Sequence, residues 1–200
     1  MVRRTKEDAE KTRLQLLEAA LALFSDKGIA NVTLAQIASA SGVTRGAIYW
    51  HFKDKSQMLE ALWERVFDPL DQHFAAQLEA DDEDPLEVLC NLGKRVLQEV
   101  ATNLQFQQVC RISQQAAFDL QMIERWNQFC QRSQKEVTVL MQRARDRGLL
   151  REGITPEAAS LVASGCFHGV IERWLSVGGV VDLEREGDAI AEAIFAGLRR

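Results

Sequence analysis

The sequence contains few residues that interrupt helices or form cross-links: three prolines, twelve glycines and four cysteines among 200 residues. Such low proline and glycine contents exclude collagen-like and linker-like chains. The cysteines lie far apart and include no C-x-x-C pair, which argues against a metal site or a disulfide framework. We therefore expect no metal or other cofactor, and a reducing, cytoplasmic environment. The cysteines are Cys90, Cys110, Cys130 and Cys166.

Long hydrophobic runs are also absent. The longest stretch without a charged residue, residues 28–44, contains several polar side chains and is not expected to span a bilayer. The first eight residues have no apolar segment behind their basic residues, which predicts that they are not a signal peptide. Hydrophobic residues make up 46% and charged residues 26%, an ordinary balance for one globular domain, or two small ones that share a core.

Charge is distributed unevenly along the chain. Residues 1–60 contain nine basic and seven acidic side chains, a net charge of +2, whereas the other 140 residues have a net charge of −7. A basic end on an acidic body indicates nucleic-acid contact at that end. The excess is small enough to arise by chance, so charge alone leaves the question open.

Every long segment has hydrophobic residues at helical spacing, which predicts an all-α fold of about nine helices. Leu14, Leu17, Leu21 and Phe24 indicate one helix face, and Gly28 ends that helix. Pro69 is expected to bend or end a later helix. Further starts are predicted at Pro85, Asp119, Pro156 and Asp182, with the last two helices spanning about 156–177 and 183–198.

Residues 33–55 have the pattern of a helix-turn-helix. Thr33 and Gln36 form a capping box that begins a short helix, and Ser41-Gly42-Val43 is a tight turn. Thr44 caps a second short helix, whose Ile48 and Phe52 point inward.

The other side of this second helix has the residue types that read DNA. Arg45 can contact a guanine, Ala47 a thymine methyl, and Tyr49, His51 and Lys55 can hold phosphates. The alternative is that Tyr49 and Trp50 are core aromatic residues, His51 a surface residue and Arg45 a solvated charge. In a random helical protein that alternative is favoured, but the whole string together argues against it.

The segment from Val43 to Lys55, VTRGAIYWHFKDK, closely resembles the DNA-binding signature of the tetracycline-repressor (TetR) family. The segments VRRTK at 2–6, KTR at 11–13 and GVIERWL at 169–175 are similar to the AcrR/TtgR branch of multidrug-efflux repressors. The resemblance implies an all-helical homodimer with a DNA-binding domain at 1–54 and a ligand-binding and dimerisation domain at 55–200. Beyond the first quarter of the chain the resemblance is weaker.

By position, the resemblance implies a DNA-binding set in and around the helix-turn-helix. Leu34 and Ala35 are doubtful contacts, because they have no polar side chain. Arg3, Arg4 and Lys6 are either a basic arm on DNA or a tail without structure, and the sequence favours neither. The set comprises Thr33, Thr44, Arg45, Gly46, Ala47, Tyr49, Trp50, His51 and Lys55.

The resemblance also implies a small hydrophobic or aromatic effector and a dimer formed by the last two helices. For Leu92, Val96 and Ile171 a plain core role is the stronger alternative, and His168 is more often a core histidine. Apolar residues available for pairing with a second copy, or for the core, are Leu161, Val162, Trp174, Ile190, Ile194 and Leu198. The implied effector contacts are Leu92, Val96, Cys110, Ser113, Gln114, Ser164, Phe167, His168 and Ile171.

The resemblance therefore implies a repressor that binds a pseudo-palindromic operator, controls an efflux operon and leaves DNA when an effector binds. An enzyme is not expected, since the sequence has no nucleophile-elbow, zinc-protease, P-loop or dinucleotide motif. Two alternatives stay open: an activator or global regulator on the same fold, and a ligand-binding helical protein with weak DNA binding.

Overall fold

The computed structural model describes residues 6–79, 84–115, 120–178 and 181–200. Within these ranges the chain forms nine α-helices and a short 3-10 helix, which confirms the predicted all-α fold. Leu150 and Arg199 form an isolated antiparallel bridge. The helices are α1 (Lys6–Lys27), α2 (Leu34–Ala40), α3 (Arg45–His51), α4 (Lys55–Glu79), α5 (Pro85–Thr102), α6 (Leu104–Gln115), α7 (Leu120–Asp146), α8 (Pro156–Val177) and α9 (Leu183–Ala196), with the 3-10 helix at Ile29–Asn31.

Helix boundaries follow the capping signals closely. The Thr155 hydroxyl accepts from the backbone N–H of Ala158, and Pro156 occupies the first position of α8. Asp182 caps α9 in the same way, but α9 ends at Ala196 rather than at 198. The expected start at Asp119 lies outside the described residues, as do Arg3, Arg4, 80–83, 116–118 and 179–180.

One local prediction is wrong, and of the two alternatives for Pro69, a bend or an end of the helix, the end is excluded while the bend stays a prediction. Leu14 is 37% exposed, because the buried face of α1 is centred on Leu16, Leu17 and Phe24 and leaves Leu14 at its edge. Pro69 does not end its helix, since α4 continues to Glu79. A proline removes one backbone donor, and the long flanking segments of α4 provide enough other helical hydrogen bonds to continue past it.

The described residues divide into two compact units, and the division falls within α4, α6 and α7. The first unit consists of the described residues within 1–68 and 108–126, and it includes the predicted helix-turn-helix. Its core combines α1, α2 and α3 with the first half of α4 and the second half of α6. The largest fully buried residues of that core are Leu16, Leu17, Phe24, Ile37, Ile48, Phe52, Met58, Leu59 and Leu62, with Val109 and Ile112 from α6.

The second unit consists of the described residues within 69–107 and 127–200. In this unit α5 packs along α9 and also contacts α8. Gly93 of α5 leaves room for Phe167 of α8: a Cβ added at Gly93 would lie 2.2 Å from the ring's Cζ. The Phe167 ring also packs against Phe195, with ring centroids 6.1 Å apart. In the described ranges, no helix is apolar over a length that would cross a membrane.

Candidate nucleic-acid interface

The helix-turn-helix is built by local hydrogen bonds that the sequence predicts. The backbone N–H of Thr33 donates to the Gln36 side-chain oxygen at 2.8 Å, and that of Gln36 donates back to the Thr33 hydroxyl at 3.3 Å. Gly42 has φ +69°, a conformation that glycine adopts without strain, and this turn lets the N–H of Val43 donate to the Ala38 carbonyl. The capping box and the glycine turn are thus confirmed.

Helix α3 has one buried side and one exposed side. Its N-cap is Thr44, whose hydroxyl accepts from the N–H of Ala47 at 3.3 Å. Ile48 and Phe52 are 0% and 1% exposed in the core of the first unit. These two residues fix the rotation of α3 about its axis, because turning it would expose both.

On the opposite side, α3 presents Arg45, Gly46, Tyr49 and Trp50 to solvent. Tyr49 is 50% exposed and Trp50 is 76% exposed, so the alternative that they are core aromatic residues is wrong. Large aromatic side chains are rarely left this exposed by packing alone. The arrangement leaves a cation, two aromatic rings and a glycine together on one accessible surface, which we call the α3 face.

The edge of the α3 face is formed by Ala47 and His51, which are half-buried. The rings of Trp50 and His51 meet edge to face, with centroids 4.8 Å apart. These residues and Ala9 of α1 line a groove of about 280 Å³. Ala9 is not part of the predicted DNA-binding set.

Two further residues of the predicted DNA-binding set begin helices or fix them in place. Thr33 is exposed at the start of α2, and its hydroxyl is part of the capping box. Lys55, at the start of α4, is half-buried and its ammonium group donates to the Ile29 carbonyl at 2.7 Å. An ammonium has two more N–H groups, so this bond leaves Lys55 able to contact a phosphate.

Arg13 of α1 also belongs to this region, although it is not part of the predicted DNA-binding set. The guanidinium of Arg13 lies over the Phe52 ring, 5.3 Å from its centroid. Lys6, Ala9 and Arg13 are three and four residues apart and therefore share one face of α1, a signal that the sequence does contain.

The predicted effector contacts of the first unit all belong to α6. Cys110 is half-buried, and burial raises the pKa of its thiol to about 12, so this group is a neutral, apolar surface. Ser113 is buried and bonded to Trp63, as described below. Gln114 lies in α6, and its side chain is outside what the structure describes.

In the second unit, the predicted contacts lie on α5 and α8. Leu92, Val96, Phe167 and Ile171 are half-buried, which agrees with a role in the core as well as with ligand contact. The Ser164 hydroxyl donates to the Gln134 side-chain oxygen at 2.8 Å.

His168 is exposed, with its Nε2 atom 3.9 Å from a Glu172 oxygen. The alternative of a buried core histidine is therefore wrong. None of these positions is tested as an effector contact, and they stay predictions.

Helix α8 also exposes apolar residues. Leu161, Val162 and Val177 are 67%, 44% and 52% exposed. Gly165 and Gly169, one and two turns after Leu161, are exposed too, and a Cβ added at either would meet nothing within 4 Å. We call these five residues the α8 face. Of the residues predicted to serve pairing or core, Leu198 is buried and belongs to the core.

Comparisons with known proteins agree with this geometry. The pattern described as "Bacterial regulatory proteins, tetR family" matches residues 16–62, which span the helix-turn-helix. The chain is 36% identical over 188 residues to the HTH-type transcriptional regulator TtgR of Pseudomonas putida, covering 92% of this chain and 89% of that protein.

Solved structures give the same result. NalD of Pseudomonas aeruginosa, the secondary repressor of the MexAB-OprM multidrug efflux pump, is similar with a TM-score of 0.88, 34% identity and coverage of 96% and 99% of the two chains. SmeT in complex with triclosan is similar with a TM-score of 0.85, 29% identity and coverage of 95% and 92%. SmeT is the repressor of the Stenotrophomonas maltophilia multidrug efflux pump SmeDEF.

Proposed function

Because the chain belongs to the TetR family of bacterial regulatory proteins, we propose that it is a ligand-responsive transcriptional repressor. In this proposal it binds a pseudo-palindromic operator as a homodimer and controls a multidrug efflux operon. The observation that carries the proposal is the α3 face, where Arg45, Tyr49 and Trp50 are exposed while Ile48 and Phe52 are buried. We assign DNA binding to residues 1–54, and ligand binding and dimerisation to 55–200.

On the operator, α3 enters the major groove with its N-terminal residues foremost. Arg45 donates two hydrogen bonds to a guanine, the commonest specific contact of an arginine in this groove. Gly46 and Ala47 are small enough for the helix to approach base edges closely. Tyr49, Trp50, His51 and Lys55 contact or support contacts to phosphates, which position the helix without reading sequence.

The second copy of the chain pairs with the α8 face and with α9. Exposed aliphatic side chains of this kind mark interaction surfaces, and a helix with exposed glycines allows another helix to approach closely. A symmetric dimer places two recognition helices in successive major grooves, about 34–36 Å apart in the simplest geometry. The operator must then be a pseudo-palindrome.

The effector is a bulky hydrophobic or aromatic molecule. Support comes from the similarity to SmeT, whose complex contains triclosan, and from the apolar residues Leu92, Val96, Phe167 and Ile171. Control of an efflux operon is inferred from the similarity to NalD and SmeT, both of which are repressors of efflux pumps.

Release requires that the effector prefer a conformation that binds DNA poorly, commonly by about 1–3 kcal/mol. Helix α4 transmits this preference in our proposal. Its start is bonded to the 3-10 helix that precedes α2, through Lys55 on the Ile29 carbonyl, and to the segment that follows α3, through the Gln57 side chain, which accepts from the N–H of Lys53 at 2.8 Å. Moving α4 therefore moves the recognition helix with it.

The test compares the parent with Arg45→Ala on DNA from upstream of its own gene and of the nearest transporter operon. Fluorescence anisotropy at fixed salt, with random duplex as competitor, measures specific and unspecific binding separately. We expect Arg45→Ala to lose about 1–3 kcal/mol of discrimination at one base pair and to keep most unspecific binding. Arg95→Ala, which removes an exposed charge from α5 in the second unit, is the matched control.

The outcomes separate the proposal from its alternatives. A parent that prefers neither site over random duplex contradicts local repression, and leaves a distant operator or a ligand-binding protein with weak DNA binding. An operator placed upstream of the promoter, with transcription increased by the protein, supports an activator. Equal losses for Arg45→Ala and Arg95→Ala contradict base reading by α3.

A further inference from the structure

A buried hydrogen bond joins α4 to α6 within the first unit. The indole N–H of Trp63 donates to the hydroxyl oxygen of Ser113 at 2.6 Å. Trp63 is 3% exposed and Ser113 is 8% exposed. Fifty residues separate the two in sequence, so the bond depends on how the helices pack and not on local structure.

The Ser113 hydroxyl is oriented by a second hydrogen bond. It donates its proton to the Val109 carbonyl one turn earlier in α6, at 2.7 Å. A hydroxyl has one proton, so Ser113 has none left to donate to an effector. Because the proton is fixed, a lone pair of the Ser113 oxygen faces the indole N–H of Trp63. Both hydrogen bonds form together at one register of α6 against α4.

The residues beside this bond on α4 and on α6 belong to the same core as the recognition helix α3. Val109 and Ile112 of α6, and Leu59 and Leu62 of α4, lie in the same buried cluster as Ile48 of α3. A packed core transmits a displacement instead of absorbing it. A shift of α6 along α4 therefore reaches α3 through contiguous buried side chains.

Helix α6 also extends beyond the first unit. It begins at Leu104, whereas the second range of the first unit begins at Gln108. A continuous helix carries an axial movement of its first turn to its last. We propose that the Trp63–Ser113 bond fixes the register of α6 against α4 and, through this registration role, couples the position of α6 to operator binding. Ser113 is then a positioning residue and not an effector contact. This inference rests on the proposed repressor function and names the residues through which it is regulated.

Loss of the bond has a defined consequence. Without the Ser113 hydroxyl, the indole N–H of Trp63 loses its buried acceptor, and the described register no longer has this advantage over neighbouring ones. Operator binding requires the two recognition helices of the dimer to lie at one separation. Without the bond, α4 samples a wider range of positions, and restricting that range when DNA binds costs free energy. We expect operator binding to weaken, about 5- to 20-fold.

The experiment is a double-mutant cycle with Ser113→Ala, Trp63→Phe and the double variant. Operator affinity is measured by anisotropy on the duplex that the parent selects from DNA upstream of its own gene, and unfolding by thermal melting. Ser113→Ala should weaken operator binding about 5- to 20-fold in the parent and less than about twofold in Trp63→Phe. Ser160→Ala is the control, since Ser160 is fully buried and bonded to Gln134 in the second unit.

A merely structural role predicts something different. In that case Ser113→Ala and Ser160→Ala lower the melting temperature alike and leave operator affinity unchanged, which overturns the proposal. Tighter operator binding by Ser113→Ala, or additive effects in the cycle, overturns it as well.

Hydrogen exchange of the α3 and α4 amides gives a readout without DNA. We expect faster exchange in Ser113→Ala than in Ser160→Ala, and equal exchange contradicts the registration role. A parent that binds no operator, together with faster exchange in Ser113→Ala, rejects the repressor function and keeps the α4–α6 link.

Discussion

Among the described residues, α3 and α8 each expose a group of side chains that packing within the described part of the chain does not explain, and the two surfaces differ in chemistry. The α3 face combines a cation with aromatic rings, which suits phosphates and base edges. The α8 face is aliphatic, which suits another apolar protein surface. Both contain exposed glycines, Gly46 in one and Gly165 and Gly169 in the other.

These glycines teach how to distinguish a residue that the fold needs from one that a partner needs. At Gly93 an added Cβ would lie 2.2 Å from the Phe167 ring, so the fold itself requires a glycine. At Gly46, Gly165 and Gly169 an added Cβ would meet nothing within 4 Å. A glycine inside a helix costs about 1 kcal/mol relative to alanine. We attribute the exposed glycines to close approach by DNA at α3 and by a second copy at α8.

The largest expected effect separates the two sides of α3. Ile48→Ala should lower the free energy of unfolding by about 2–5 kcal/mol, because Ile48 is fully buried in the core of the first unit. Trp50→Ala, two residues away and 76% exposed, should change it by no more than about 0.5 kcal/mol while weakening operator binding. Urea unfolding and anisotropy measure the two effects. Similar losses of stability in both variants would contradict the described orientation of α3.

The next effect tests the glycine that the fold needs. Gly93→Ala should destabilise the protein by about 1–3 kcal/mol, since the Phe167 ring has to move away from the new methyl group. In a Phe167→Ala background the same change should be neutral or stabilising, because the obstructing ring is gone. Urea unfolding of the four proteins gives the coupling between the two sites. An equal cost of Gly93→Ala in both backgrounds would contradict the contact.

Contacts between residues close in sequence could be predicted, whereas contacts between distant residues could not. The helix-turn-helix is specified by contacts three and four residues apart, such as Thr33 with Gln36 and Ile48 with Phe52. Periodicity and caps reveal contacts of this kind directly. The exposed side of α3 followed from the positions of its two buried residues.

Contacts over long sequence distances are not visible in this way. The bond between Trp63 and Ser113 spans 50 residues, and the place of Arg13 against Phe52 depends on how α1 packs. Helix α8 has apolar residues on several sides, so periodicity does not separate exposed Leu161 from buried Ala163, or show that His168 faces solvent. Only tertiary packing decides these positions.

A smaller effect is expected where a glycine faces a partner. Gly46→Ala and Gly165→Ala should each stabilise the protomer by up to about 1 kcal/mol, because alanine favours the helix and the chain leaves room for its methyl group. Gly46→Ala should weaken operator binding, and Gly165→Ala should weaken self-association. Thermal melting, anisotropy and sedimentation equilibrium measure the three quantities. If both variants keep the parent's affinities, the glycines are not close-approach points.

The smallest effect contrasts a helix cap that titrates with one that does not. Asp84 caps α5: its carboxylate accepts from the N–H of Leu86 at 2.9 Å and lies 2.8 Å from the Arg199 guanidinium. Burial raises the pKa of this carboxyl, but the Arg199 hydrogen bond and the backbone donors outweigh it, so the pKa lies below its ordinary value of 3.8. The ionised cap therefore stabilises the folded chain above that value, and this contribution is lost as the pH falls through the folded-state pKa.

The Thr44 hydroxyl that caps α3 has no such dependence, since it does not ionise in this range. Acidification from about pH 6 to about pH 3 should therefore lower the protection of the amides at the first turn of α5, measured as the exchange rate relative to the intrinsic rate at each pH, before it lowers the protection at α3. Asp84→Asn should remove the pH-dependent part at α5 and leave α3 as in the parent. An α5 turn that loosens equally with acid in Asp84→Asn would show that another carboxylate, and not this cap, is responsible.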